Sequence, residues 1–521
     1  MARRPAPMQD QGGGVGGAQR ATSKFIIFGG IDKINTRSAR DALPENEAAW
    51  LENLQPIAAN NLVTVPGPLA ALTTFAGETG ATFFGANIGA VDYIIVFTSA
   101  GAGIAVDTAT GAQTQFAPDG TFGGPDMTVY ASERILIMDA VSGYSTWDGT
   151  TFVKSGGISP NVVVTAGGTG FTSPPPISFT GGTGSGASAT ATVADGALVA
   201  IKLTNPGTGF SPGDVITVVI GGPGSGATAT AMVWPFLSGT TIAVFEGRVW
   251  WAGGRILNWT GTAGIDDTDP ANAAGSTTIS DADLSHNITA LRTLNNYLFI
   301  FGDTSVRQIG NITVQSSITL FTPLILASDI GTTFRRTIQS YNRLVLFANK
   351  QGVYAIFGAS VEKISDDLDG IFQLTDFGQP LEAALNDLRN IHCYMILLRY
   401  IDPVRGARSI LCMFQEKKWF VVSQGDNLKT ICTVPLASTS QIETFGSSGP
   451  DVTQLLQDPS VRVEWELQTS LSAHGNLIQA KQVLAAGVFG HAQGVANISM
   501  EVDTENGSET YALVFAAKIT W

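Results

Sequence analysis

The chain has 521 residues, a formal net charge of −14 and a charged fraction of only 14%. So acidic a chain is a poor candidate for gripping nucleic acid, because phosphate contacts need a clustered Lys and Arg surface. Its 60 glycines, many Val, Ile, Thr and Phe, and few helix-period runs predict an all-β protein with many tight turns, long enough for roughly two to four domains.

The charge is unevenly placed, with Arg3, Arg4, Arg20 and Lys24 against Asp10 in the first 24 residues and a net −17 in the remainder. Residues 1–22 are expected to be a flexible basic arm; they hold no apolar run of the kind a secretory signal carries. No stretch is long and apolar enough to span a bilayer. Next, ALPENEAAWLENLQP at 42–56 is the clearest helix-like segment, with Glu45 and Glu47 in its first turn and Pro56 ending it.

A hydrophobic strand, a short Gly or Asn/Asp turn and a second strand then recur. The hairpins start at Asp92, Glu133, Gly247, Asn296, Asn342 and Cys393, at separations of 41, 114, 49, 46 and 51 residues. Such a period matches the blades of a β-propeller. The long gap holds a duplication: GGTGSGASATATV at 181–193 returns as GGPGSGATATAMV at 221–233, each preceded by a matching turn, GGTGF at 167 and PGTGF at 206. Without residues 157–234 the gap closes to about 36, so this stretch is read as a β module inserted at a blade edge. A phosphate-cradling loop would run its glycines into a helix N-terminus beside a Lys-Ser/Thr pair. Here they run into Ala-Thr-Ala-Thr-Val, a strand sequence.

Beyond 450, VRVEWELQTS, AKQVLAAGVF, ANISMEVD and YALVFAAKITW predict a separate C-terminal β domain whose last strand runs to Trp521. The expected layout is an arm at 1–22, propeller at 23–156 and 235–450, the Gly-rich module at 157–234 and the terminal domain at 451–521.

No catalytic, cofactor-binding or metal-binding residue is assigned. His286, His392, His474 and His491 are scattered without a metal or triad motif. Asp266, Asp267 and Asp269, and Asp366, Asp367 and Asp369, form two acidic clusters that would suit a glycosidase pair or a calcium loop, but the full calcium-loop pattern is missing, and they read as loops between strands. Trp250, Trp251 and Trp259 read as core rather than a sugar platform. Cys393, Cys412 and Cys432, an odd number without CxxC, read as buried thiols of a chain made in a reducing cytoplasm.

INTRSARDALPENEAAWLENLQPIAANNLVTVPGP, GRVWWAGGRILNWTGTAGIDDTDP with LNNYLFIFGDTSVRQIG, and GNLIQAKQVLAAGVF with EVDTENG together resemble the tail nozzle of short-tailed bacteriophages, the tail tubular protein B or packaged DNA stabilisation protein family. The resemblance covers most of the chain outside 157–234. It implies a non-enzymatic virion tail component, made in the host cytoplasm. That component would be a homo-hexamer below the portal and head-to-tail adaptor ring, carrying tail fibres or spikes and passing double-stranded DNA without tight binding. An acidic wall suits that role because it repels a polyanion. The alternatives are a receptor-binding or glycan-degrading tail component, and an extracellular propeller enzyme or adhesin.

Overall fold

The computed structural model describes residues 31–470, apart from 45, 58–60, 76–79, 212, 263, 281–285 and 462, together with 496–504 and 507–515. The basic arm, the strand expected at 480–489, His474, His491, Glu45 and the chain end at Trp521 lie outside the described residues. Two compact units are present, Met1–Leu471 and Ser472–Trp521.

The first unit contains seven successive antiparallel meanders, here called blades one to seven, with inner strands Gly80–Ile88, Asp126–Tyr130, Thr241–Phe245, Ile288–Leu294, Gln339–Tyr341, Glu382–Leu388 and Thr430–Leu436. The six sequence hairpins become the second and third strands of blades one to six. Their second strands, such as Arg134–Asp139 and Tyr297–Gly302, read as unbroken apolar runs because both faces are covered. Ile135 and Ile137 pack toward blade one, whereas Leu136 and Met138 pack toward blade three. Similar shared cores join every adjacent pair, and Phe83, Ile94, Val434 and Phe445 join blade one to blade seven. The ring is therefore closed: the fold is an all-β, seven-bladed propeller.

Turn chemistry repeats with the blades. Between inner and second strands, φ is positive at both central residues of Ala131–Ser132, Glu246–Gly247, Asn295–Asn296, Asn342–Arg343 and Arg389–Asn390. Two positive φ values are what a type I′ hairpin turn demands.

The seventh blade escapes the sequence pattern because it is assembled from both ends of the unit. Strands Thr430–Leu436, Gln441–Ser447 and Asp451–Gln454 are completed by Ala71–Thr74, paired antiparallel to the last of them. This locks the ring and corrects the boundary expected at 451. Asp451–Gln454 belongs to the propeller, and so does Glu466–Thr469, which pairs with Glu47–Glu52. The helix expected at 42–56 is also corrected. After a 3₁₀ turn, Arg40–Ala42, the segment forms strands Glu47–Glu52 and Leu54–Ile57. Glu47–Glu52 extends the sheet of blade six and is buried along nearly its whole length. Within it, Glu52 receives Arg408 at 2.8 Å and the Trp50 indole N–H at 2.7 Å. Pairing and burial override local helix preference.

The Gly-rich module is a six-stranded sheet in the order Val163–Thr169, Ser225–Ala231, Ile216–Ile220, Ile177–Thr180, Ser185–Ala194, Ala197–Thr208. Its first and last strands come together around Phe171, Leu198, Ile201 and a lining of alanines. The two copies interleave: the first strand of one copy pairs with the last of the other. At Gly184 a Cβ would lie 2.4 Å from the Phe210 ring, and at Gly224 2.5 Å from the Phe171 ring, so each copy's glycine makes room for the other's phenylalanine. The module is seated on a short stem, Gly157–Ile158 paired with Val233–Trp234. In the second unit, Ala496–Thr504 and Gly507–Phe515 form an antiparallel hairpin.

Candidate functional site

Inner strands of a propeller converge on its axis, and here the axis holds an arginine hub. The segment TTFRRTIQS, just before blade five, places Arg335 and Arg336 side by side in a 3₁₀ turn, Arg335–Thr337. Arg335 reaches Thr240 O at 2.5 Å, beside blade three, and Gly124 O at 2.8 Å, beside blade two. Arg336 donates to Phe83 O of blade one at 2.8 Å, Glu382 of blade six at 3.2 Å and Thr430 of blade seven at 3.1 Å. Arg292 of blade four makes a two-point contact with Asp126 of blade two, at 2.9 and 3.1 Å. Three guanidinium groups thus tie all seven blades together.

The buried acids are satisfied from several sides. Asp126 also accepts from the Thr241 hydroxyl at 2.7 Å and Ile242 N at 3.3 Å. Burial opposes its ionisation, but the Arg292 and Arg335 guanidinium groups and these hydrogen bonds hold it below the usual carboxylate range. Glu382 accepts from the Thr430 hydroxyl at 2.8 Å and Ile431 N at 2.9 Å. Arg335 donates to main-chain carbonyls alone among the described residues, so no carboxylate neutralises it directly. Burial, together with Arg292 and Arg336 nearby, pulls it below the ordinary guanidinium range, with Asp126 acting in the opposite sense.

Beside the hub lies a cavity of about 280 Å³, walled by these three arginines and by Phe83, Phe84, Met127, Leu294, Ile338 and Val345. Arg336 lies over the Phe84 ring, 5.0 Å from its centroid. None of these arginines or acids is singled out by the sequence. The only signal is an Arg-Arg pair immediately before an inner strand.

The residues that the sequence does single out serve the fold. Trp250, Trp251 and Trp259 are buried in blade three; the Trp250 and Trp259 indoles donate to Phe245 O and Ala273 O, both at 3.1 Å. Asp367 bonds Lys33 at 2.8 Å, Lys363 pairs with Asp369, and Arg37 stands 3.8 Å from Asp366, so this cluster anchors the N-terminal segment. Asp269 accepts from Ala271 N and Asp267 from the Asn272 amide, structuring their own loop. Asp266 is buried beneath the module with Oδ2 lacking a partner, and burial pushes its carboxyl up to about 6. His392 bonds Asp387 at 2.7 Å and stacks on Tyr341. Cys393, Cys412 and Cys432 are buried free thiols. Among the described residues no group of His, Cys, Asp and Glu is placed to hold a metal, and no helix is long and apolar enough to cross a membrane.

No family model and no curated protein matches the chain. Among solved structures, the chain is similar to BamB from Moraxella catarrhalis at 10% identity and a TM-score of 0.35, over 79% of this chain and 96% of that one. It is also similar to the Cps50 (Swd1) β-propeller domain of Myceliophteria thermophila at 10% identity and a TM-score of 0.31, over 74% and 99%. PorZ of Porphyromonas gingivalis gives 11% identity and a TM-score of 0.26, over 85% and 46%.

Proposed function

We propose that this chain is a non-catalytic structural component of a bacteriophage tail, the subunit of a nozzle that retains packaged DNA and conducts it during ejection. The reading is carried by one observation: the sequence run that resembles the nozzle family, INTRSARDALPENEAAWLENLQP onward, folds where the ring is built. Glu47–Glu52, inside that run, widens blade six, and Ala71–Thr74, just beyond its end at Pro68, closes blade seven. That the resembling run supplies a ring strand supports the reading.

Two further features bear on the role. The arginine hub and a cavity of about 280 Å³ leave a small-molecule space on the propeller axis, far too small for a duplex, so a conduit must run between copies. A ring of copies needs apolar contact surface. The stretch from Asn311 to Ser328 carries no charged residue and exposes Ile318, Leu320, Leu324 and Ile325 on the outer side of blade four. The adaptor ring and the fibres or spikes are its expected partners, and the virion tail its location. Asp267 and Asp367 lie in separate loops with their own hydrogen-bond partners, which does not favour the glycan-degrading alternative.

Mass photometry and negative-stain imaging of the full chain test the reading. Closed six-fold rings are expected, and a strict monomer, alone and with adaptor, would overturn it.

A further inference from the structure

We propose that the axial cavity is a binding site for a small oxyanion, a phosphate or carboxylate group, held by Arg292, Arg335 and Arg336. The placement of charge carries the inference. In both ion pairs the acid lies behind and the cation in front: Asp126 has a side-chain exposure of 0% against 24% for Arg292, and Glu382 has 4% against 13% for Arg336. Both acids accept from hydroxyl and main-chain donors as well as from arginine. Arg335 adds a third guanidinium bonded only to carbonyls, among the described residues, with Asp126 and Asp139 acting on it without a hydrogen bond, so three cations and no carboxylate line the wall.

This cationic wall sits in a chain of net charge −14, where an exposed cation could readily find an acidic neighbour. Guanidinium charge attracts carboxylate and phosphate oxygens, and partial burial strengthens that attraction relative to open water. One further donor, Arg336 Nη1, is buried without an acceptor. Thr293 and Ser340, which also line the cavity, are exposed and connect it to solvent. Phe83, Met127, Leu294 and Ile338 form the apolar remainder of the wall, so the space admits a compact ligand with an anionic head. The inference is independent of the nozzle reading.

Isothermal titration of the full chain with inorganic phosphate, and separately with acetate, each against chloride at matched ionic strength, tests it. Saturable one-to-one binding of either anion is expected, phosphate marking preference for a doubly charged head and acetate for a carboxylate. Arg336→Gln should weaken that binding at least tenfold. Because Arg336 also ties blades together, Ser340→Trp is the second variant: it fills the cavity mouth, keeps every arginine, and should weaken binding to the same degree. No saturable binding of either anion, or binding unchanged in folded Ser340→Trp, would overturn the site.

Discussion

Arg292 grips Asp126 through two parallel hydrogen bonds, Nη1 to Oδ2 at 2.9 Å and Nη2 to Oδ1 at 3.1 Å, joining blades four and two past blade three. Thr241 of blade three donates to the same Asp126 oxygen at 2.7 Å, and its own hydroxyl oxygen accepts from Leu291 N at 2.9 Å. Three blades therefore share one carboxylate.

Removing the cation should be far worse than removing both charges. Arg292→Met leaves Asp126 buried and short of its main partner, at a cost of about 3–5 kcal/mol, whereas Arg292→Met with Asp126→Leu should recover much of that loss. Urea unfolding of the two variants checks this. The pH dependence follows the same logic. Asp126 titrates below its unfolded value, so its contribution is present above the ordinary carboxylate range and lost as pH falls through its own lowered pKa. In Arg292→Met that acid-side loss should begin at higher pH.

Asp266 should work in the opposite direction. Burial raises its carboxyl to about 6 from an ordinary value of 3.8, with Asp267 adding to the rise and Arg134 opposing it, and neither its Oδ2 nor the nearby Tyr144 hydroxyl has a hydrogen-bond partner. A carboxyl raised in the folded state stabilises fully below its unfolded value and loses that contribution as pH rises through about 6. The shift corresponds to about 3 kcal/mol at most. Thermal melts should therefore show Asp266→Asn gaining on the parent chain between pH 5 and pH 8. Parallel melting curves for the two proteins would count against this account.

The Gly-rich module should be removable whole but not by halves. Ile158 and Val233 are paired on the stem, so replacing 159–232 by Asn-Gly closes a two-residue hairpin and keeps Trp234, which is fully buried against Tyr144. That protein should remain soluble with its β circular-dichroism signal intact. Deletion through 234 takes the tryptophan as well and should cost about 3–5 kcal/mol more. Deleting only one copy strips the partner strand from each half of an interleaved sheet and bares its edges, so that variant is expected to aggregate on size-exclusion chromatography.

A chain starting at Ser23 should not retard double-stranded DNA in a gel shift even at low salt, where any electrostatic attraction is strongest. Its net charge is −16, the whole-chain −14 less the +2 of residues 1–22, and the hub arginines lie in a cavity of about 280 Å³ that a duplex cannot enter. Salt-sensitive retention would identify a DNA-gripping protein rather than a passive conduit.

Much of the fold is legible in the residues themselves, because blades repeat a local unit. Runs such as ERILIMD and NYLFIFG mark strands buried on both faces, and Asn or Gly stands in four of the five positive-φ turns that precede such strands, Ala131–Ser132 being the exception, so hairpin and period are largely written locally. The module is legible for the same reason, through its duplicated glycines. The other features depend on residues far apart in sequence. EAAWLE reads as a helix until the sheet of blade six receives it, and blade seven exists only once Ala71–Thr74 meets Asp451–Gln454, nearly four hundred residues away. The hub is the extreme case: Arg336 meets Phe83, Glu382 and Thr430 because ring closure brings inner strands to one axis. Local sequence specifies strands and turns through backbone preference and burial period. Which charges face each other across a closed ring is set by closure itself, and only the tertiary structure decides it.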